Sequence, residues 1–84
     1  DEADAVIELA DGRYALIEFK LGGKDIEKGA AHLLEIQRLV KEYNRAEKQV
    51  RLSEPDLLMV ITGGPIAYSR HDGVKVVPLA CLRD

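Results

Sequence analysis

The sequence holds little of what would tie it to several broad classes. It has one cysteine, Cys81, which excludes an internal disulfide and fits a reducing compartment, so a cytoplasmic location is expected. Its longest apolar run is the five residues Leu57-Leu58-Met59-Val60-Ile61, against the roughly 18–20 that a membrane helix needs. No basic segment leads into an apolar one, so no secretory leader is visible and no membrane partner is expected. Basic residues are not in excess: 12 Lys and Arg against 15 Asp and Glu leave a net charge of −3, which argues against nucleic-acid binding by bulk charge. Pro- or Ser-rich linkers, low-complexity tracts and repeats are all missing, so nothing divides the chain. Neither Gly22-Gly23 nor Gly63-Gly64 leads into the Lys-Ser or Lys-Thr of a phosphate-binding loop, and no ATP site is encoded here.

What remains is 84 residues, 46% hydrophobic and 32% charged, the balance of one ordinary soluble globular domain. A chain of this length buries only about 60–65% of its unfolded surface, which leaves a thin stability margin. It begins at Asp1, directly on what reads as a strand, and is expected to be cut from a longer protein.

Residues 3–9 and 13–21 read as strands joined at Asp11-Gly12, a hairpin signal. Both carry apolar side chains on both faces, which suggests interior positions in a sheet. Residues 25–48 read as one helix, because Ile26, Ala30, Leu33, Ile36, Val40 and Tyr43 recur at three- and four-residue steps among charged residues. Asp25 is the expected cap. Gly29 costs about 1 kcal/mol against alanine in mid-helix unless a close helix–sheet contact needs it. Residues 56–62 form a continuous apolar run of the kind covered on both sides, and complete a βαβ unit that is normally parallel and right-handed. Residues 66–70 and 74–79, around Asp72-Gly73, make a second hairpin. The order β-β-α-β-β-β defines a mixed α/β domain whose sheet wants more cover than one helix supplies.

The first hairpin carries Asp4, Glu18 and Lys20, and strand register decides whether they act together. A two-residue Asp11-Gly12 loop pairs Asp4 with Phe19 and sends Asp4 and Glu18 to opposite faces. A three-residue loop, Ala10-Asp11-Gly12, pairs Leu9 with Arg13 and sets Asp4 opposite Glu18. That loop is a type I turn followed by a residue at positive φ, and Gly12 stands where that residue is needed, so the second register is expected. It places two carboxylates about 5 Å apart at Cβ, with Lys20 on the same face. Adjacent carboxylates repel and sit most comfortably around a hard divalent cation such as Mg²⁺, which accepts one or two carboxylates, several waters and a substrate phosphate. A lysine two residues on can orient a metal-bound water or neutralise charge on phosphorus, a combination suited to metal-assisted phosphodiester hydrolysis. The same short pattern also fits solvent-facing charges on a half-exposed sheet, with Lys20 in an ordinary ion pair.

Glu2-Ala3-Asp4-Ala5-Val6-Ile7 followed by Ala15-Leu16-Ile17-Glu18-Phe19-Lys20-Leu21-Gly22-Gly23 resembles the D…(D/E)xK core of the PD-(D/E)xK nuclease superfamily. With Ile26-Glu27-Lys28-Gly29-Ala30-Ala31-His32-Leu33, Val60-Ile61-Thr62-Gly63-Gly64, Ala67-Tyr68-Ser69-Arg70 and Asp72-Gly73-Val74-Lys75-Val76-Val77-Pro78-Leu79, nearly the whole chain resembles a nuclease-like C-terminal domain of bacterial and archaeal AAA+ ATPases. The resemblance implies a restriction-endonuclease-like fold without its N-terminal covering helix. It implies Asp4 and Glu18 as ligands of Mg²⁺ or Mn²⁺, the Phe19 carbonyl as a further ligand, and Lys20 as the catalytic lysine. It also implies an upstream AAA+ module in the same chain and DNA as a partner. Two departures from the superfamily matter: the glutamate that many members bring from a helix upstream of the first strand falls before the point where this sequence starts, and Gln37 is followed by Lys41, with Tyr43 out of step for a Gln-x-x-x-Tyr signature.

The remaining chemical residues have plainer readings. His32, one position before Leu33, reads as a boundary residue, and His71 as part of a turn. Cys81 reads as a small buried hydrophobe. Lys24, Lys28, Arg38, Lys41, Arg45 and Lys48 alternate with glutamates, the habit of a solvated face. Uncovered apolar surface predicts self-association, and a homodimer is expected.

Overall fold

The computed structural model describes residues 2–22, 24–46 and 50–82. β1 (Ala5–Glu8) and β2 (Tyr14–Lys20) form the first hairpin, α1 spans Ile26–Arg45, and β3 spans Leu57–Thr62. β4 (Tyr68–Ser69) and β5 (Lys75–Pro78) form the second hairpin, and a short 3-10 helix covers Leu79–Leu82. The strands make one five-stranded mixed sheet in the order β1-β2-β3-β5-β4. β2, β3 and β5 run parallel, while β1 and β4 are antiparallel at the two edges. The domain is therefore α/β, with β2-α1-β3 as its parallel crossover unit.

Both hairpins turn the same way, for the same chemical reason. Leu9 N–H donates to the Arg13 carbonyl and Gly12 N–H to the Leu9 carbonyl; Arg70 N–H and Gly73 N–H repeat the pattern with Val74 and Arg70. Gly12 and Gly73 both hold positive φ, near +91° and +92°, where a Cβ would be strained. In each loop the aspartate before the glycine accepts a backbone N–H two residues on, Asp11 from Arg13 and Asp72 from Val74, both at 3.1 Å.

α1 covers one face of the sheet. Leu16, Ala30, Leu33, Leu58, Val60 and Val74 form the core between them, with Ile26, Leu34 and Ile36 packed at its margin. Burial of Leu33, which is fully enclosed, is worth about 1.5–3 kcal/mol. Gly29 has the close contact that mid-helix glycine needs: a Cβ there would lie 3.1 Å from Lys20 Cγ and 3.3 Å from Val60 Cγ2. Asp25 stands at the N-cap position, but its side chain makes no capping hydrogen bond. Its φ of −108° and ψ of 19° leave the extended region in which a cap side chain turns back onto the helix. The described helix ends at Arg45, and the expected last residue, Lys48, lies outside the described residues. In the last turn of α1, Asn44 Nδ2 donates to the Leu52 carbonyl and Leu52 N–H donates to Asn44 Oδ1, both at 2.8 Å, so the chain is tied down as it returns.

Three expectations are corrected. β1 is an edge strand, with Val6 and Ile7 54% and 51% exposed, because apolar alternation reports faces and not lateral position. The run in β3 is covered fully on the α1 face but only in part on the other, where Leu57 and Met59 remain half-buried. Cys81 is exposed: the chain leaves β5 through a 3-10 helix that turns this side chain outward while Leu82 lines the open-face groove. Along α1 the alternating charges do form a solvated face, with Arg38 bridging Glu35 and Glu42. No helix among the described residues is long and apolar enough to cross a membrane.

Candidate functional site

The hairpin register follows from its turn. With Leu9 and Arg13 as a hydrogen-bonded pair, alternation along an antiparallel ladder makes Ala5 and Ile17 a bonded pair and Asp4 and Glu18 the closer, non-bonded one. The three-residue loop is thus the one formed, and Asp4 faces Glu18 on the side of the sheet that α1 covers.

The two residues exchange main-chain and side-chain contacts. Asp4 N–H donates to Glu18 Oε2 at 2.8 Å, and Phe19 N–H donates to Asp4 Oδ2 at 2.9 Å. Asp4 therefore takes the place of the main-chain acceptor that β1 would have offered Phe19 one residue further back. Phe19 occupies a bonding position of the ladder, so its N–H and C=O both point to the β1 edge, beside Asp4. Its side chain lies on the opposite face, partly exposed. Glu18 is 3% exposed, so the reading of solvent-facing charges does not describe it.

Lys20 shares the face of Glu18, two residues on. Its stem lies along α1 at Gly29, and it makes no ion pair among the described residues. Lys20 is level with Thr62 in β3, and both strands end there in glycines. A Cβ at Gly63 would run into the main-chain oxygen of Leu21, so this glycine is what lets the two strand ends close up at the rim.

His32 completes the cluster. Its Nδ1 lies 2.8 Å from Glu18 Oε1, and its side chain is 31% exposed, at the boundary of the helix–sheet interface. The signal that could have found it is its spacing: Gly29 and His32 are three apart on a helix, hence neighbours on one face, and Gly29 is where the helix meets Lys20. His71 sits in the second turn, as expected.

Charge elsewhere is largely spent locally. Arg70 bridges Glu27 on the first turn of α1, at 2.7 Å, and Asp72 in the second turn, at 3.0 Å. Its guanidinium holds both carboxyls below the usual range, chiefly through these hydrogen bonds, and they hold it above its own. Tyr14, at the other end of β2, has its phenol raised by burial first and then by Asp56 and Glu54.

The donor set suits a hard cation. Asp4 Oδ1 carries no hydrogen bond among the described residues, Glu18 Oε2 accepts one N–H while Oε1 lies 2.8 Å from His32 Nδ1, and the Phe19 carbonyl faces the same edge. Two carboxylates and a carbonyl are oxygen ligands of the kind Mg²⁺ and Mn²⁺ accept, with water or substrate filling the rest. Among the described residues no three His, Cys, Asp or Glu side chains gather closely enough to hold an ion by themselves. No protein-family model, curated protein or solved structure matches the chain, so the reading of this site rests on its own residues.

Proposed function

We propose that the chain is a restriction-endonuclease-like domain of an AAA+-type protein that hydrolyses phosphodiester bonds, with DNA the expected substrate. The observation that carries this reading is the register that sets Asp4 beside Glu18 with Lys20 on the same face. Asp4, Glu18 and the Phe19 carbonyl would hold Mg²⁺ or Mn²⁺. Such an ion supplies Lewis-acid polarisation of a phosphoryl oxygen and a more acidic bound water. The protein's own part is positional and electrostatic. Glu18 is buried and hydrogen-bonded at both oxygens, so its orientation is set before anything binds. Lys20 brings an ammonium with no ion-pair partner among the described residues to the same face, where it stabilises negative charge developing on the phosphate oxygens.

The test is a thermal shift followed by a DNA-cleavage assay. A ligand present at 100 times its Kd adds about 2.7 kcal/mol, on the order of 10–20 °C for a domain this small. Millimolar Mn²⁺ should raise the Tm of the wild type and leave Asp4→Ala unmoved, and cleavage should need both the metal and Lys20. A wild type that ignores Mn²⁺ and Mg²⁺ refutes the proposal.

A second reading is a non-catalytic nucleic-acid docking or oligomerisation module of the ATPase; its oligomerisation arm is favoured by the apolar side chains of Val6, Ile7 and Leu9 left exposed on β1 and just after it. It expects a homodimer in light scattering at micromolar concentration, and a monomer counts against it.

A further inference from the structure

The apolar packing of α1 on the sheet is made by Ala30 and Leu33, both fully buried, and the pairing of His32 with Glu18 lies beside it at the boundary. Its effect is local. A glutamate side chain has three rotatable bonds, and one hydrogen bond, from Asp4 N–H to Oε2, leaves the carboxylate free to swing about that contact. A second donor on the other oxygen removes the swing. His32 Nδ1 supplies it from α1, the element that also fixes the stem of Lys20 at Gly29. An ionised carboxylate only accepts, so Nδ1 is the donor, and in the neutral ring the bare nitrogen is Nε2. Glu18 and Lys20 are thereby referred to the same two turns of one helix.

We propose that His32 is a positioning residue of the Glu18 carboxylate, orienting it for a divalent cation; the inference rests on the metal-site reading above. Partners that hold a ligand from behind commonly change metal affinity by 10–100-fold when removed. The experiment titrates the 84-residue chain with Mn²⁺, reading the free aquo ion by electron paramagnetic resonance at neutral pH, in wild type, Asp4→Ala, His32→Ala and His32→Asn. His32→Ala should weaken Mn²⁺ by about 10–100-fold, and His32→Asn, whose amide N–H stands close to the place of Nδ1–H, should recover most of the loss. Unchanged Mn²⁺ affinity in a folded His32→Ala, with Asp4→Ala abolishing binding, overturns the role of His32 and leaves the metal site standing. Absence of Mn²⁺ binding in the wild type overturns both. Should His32→Ala not fold, long-range ¹H–¹⁵N spectra of the wild type decide: Nδ1 must be the protonated nitrogen and must respond to Mg²⁺, and a bare or unresponsive Nδ1 overturns the proposal.

Discussion

A carboxylate kept for chemistry should be a poor contributor to stability, and Glu18 lets that be measured. Its side chain is 5% exposed, so an ionised carboxylate there has given up its water for two N–H donors. Replacing it with methionine, of similar length, removes a desolvation penalty that amounts to several kcal/mol for a buried ion and adds apolar contact. The two groups left behind belong to Asp4, an exposed residue, and to His32, whose side chain is 31% exposed, so neither is sealed in the core. The losses and gains are of the same size, so Glu18→Met should leave stability within about 1 kcal/mol of the wild type or raise it. His32→Ala is the opposite case, because it strips a buried carboxylate of one of its two donors. A hydrogen bond to a charged group is worth about 1.5–3 kcal/mol, and 2 kcal/mol corresponds to roughly 8–16 °C in Tm for a domain of this size. Urea melts of the three proteins with a shared m-value make the comparison. If Glu18→Met loses as much as His32→Ala, the carboxylate is a net structural asset and the argument that it is held against the interest of stability fails.

Two further predictions concern the rim and the second turn. Gly63→Ala should cost about 1–3 kcal/mol in urea melts, because its Cβ meets the main-chain oxygen of Leu21, which cannot swing aside; Gly22→Ala, open to solvent, should change stability by less than about 0.5 kcal/mol, and equal effects would refute the close-approach argument. Arg70→Gln should be less stable than wild type at neutral pH, with the gap closing in acid. Glu27 and Asp72 have folded values below their unfolded ones, so their stabilisation is complete above about pH 4–4.5 and is lost as pH falls through the lowered values. A gap that stays constant from neutral pH down to about pH 2 would show that Arg70 acts by packing alone.

The parts of the fold read from sequence are those where a single residue type has one local solution. Gly12 after Asp11 selected the three-residue loop, and the loop set the register, so the meeting of Asp4 and Glu18 was legible in the sequence. Gly29 left a close helix–sheet contact as the one condition that would excuse it, and the apolar run of β3 announced the parallel neighbour of β2. What was not legible depends on which element lies beside which. Apolar alternation in β1 reads alike at an edge and inside, and its edge position follows only from β2 choosing β3 as its other neighbour. The Asn44–Leu52 tie joins a helix end to an irregular segment, with no periodicity to mark it. His32 was visible as a boundary residue, but its partner lies across the interface on β2, fourteen positions earlier.

The choice between a working site and a set of incidental charges turns on where the local rules are broken. Over most of the chain, turn chemistry, periodicity and burial agree, as they do in a sequence that specifies one structure. The exceptions gather in one place. Glu18 is a charged residue buried in a strand, Asp4 spends its carboxylate on the main chain of a neighbouring strand, Gly29 is a poor helix former in mid-helix, and Lys20 carries an ammonium with no carboxylate partner among the described residues. Each alone has a bland reading. Together they belong to one connected structure: Asp4 N–H to Glu18, Glu18 to His32 on α1, and α1 at Gly29 to the stem of Lys20. Solvated charges scattered over a sheet have no reason to be linked through a buried carboxylate, or to require a glycine in the helix that covers it. A site that must hold two acids and a base in fixed relation requires both, and that is why the register of a three-residue turn carries a proposal about chemistry.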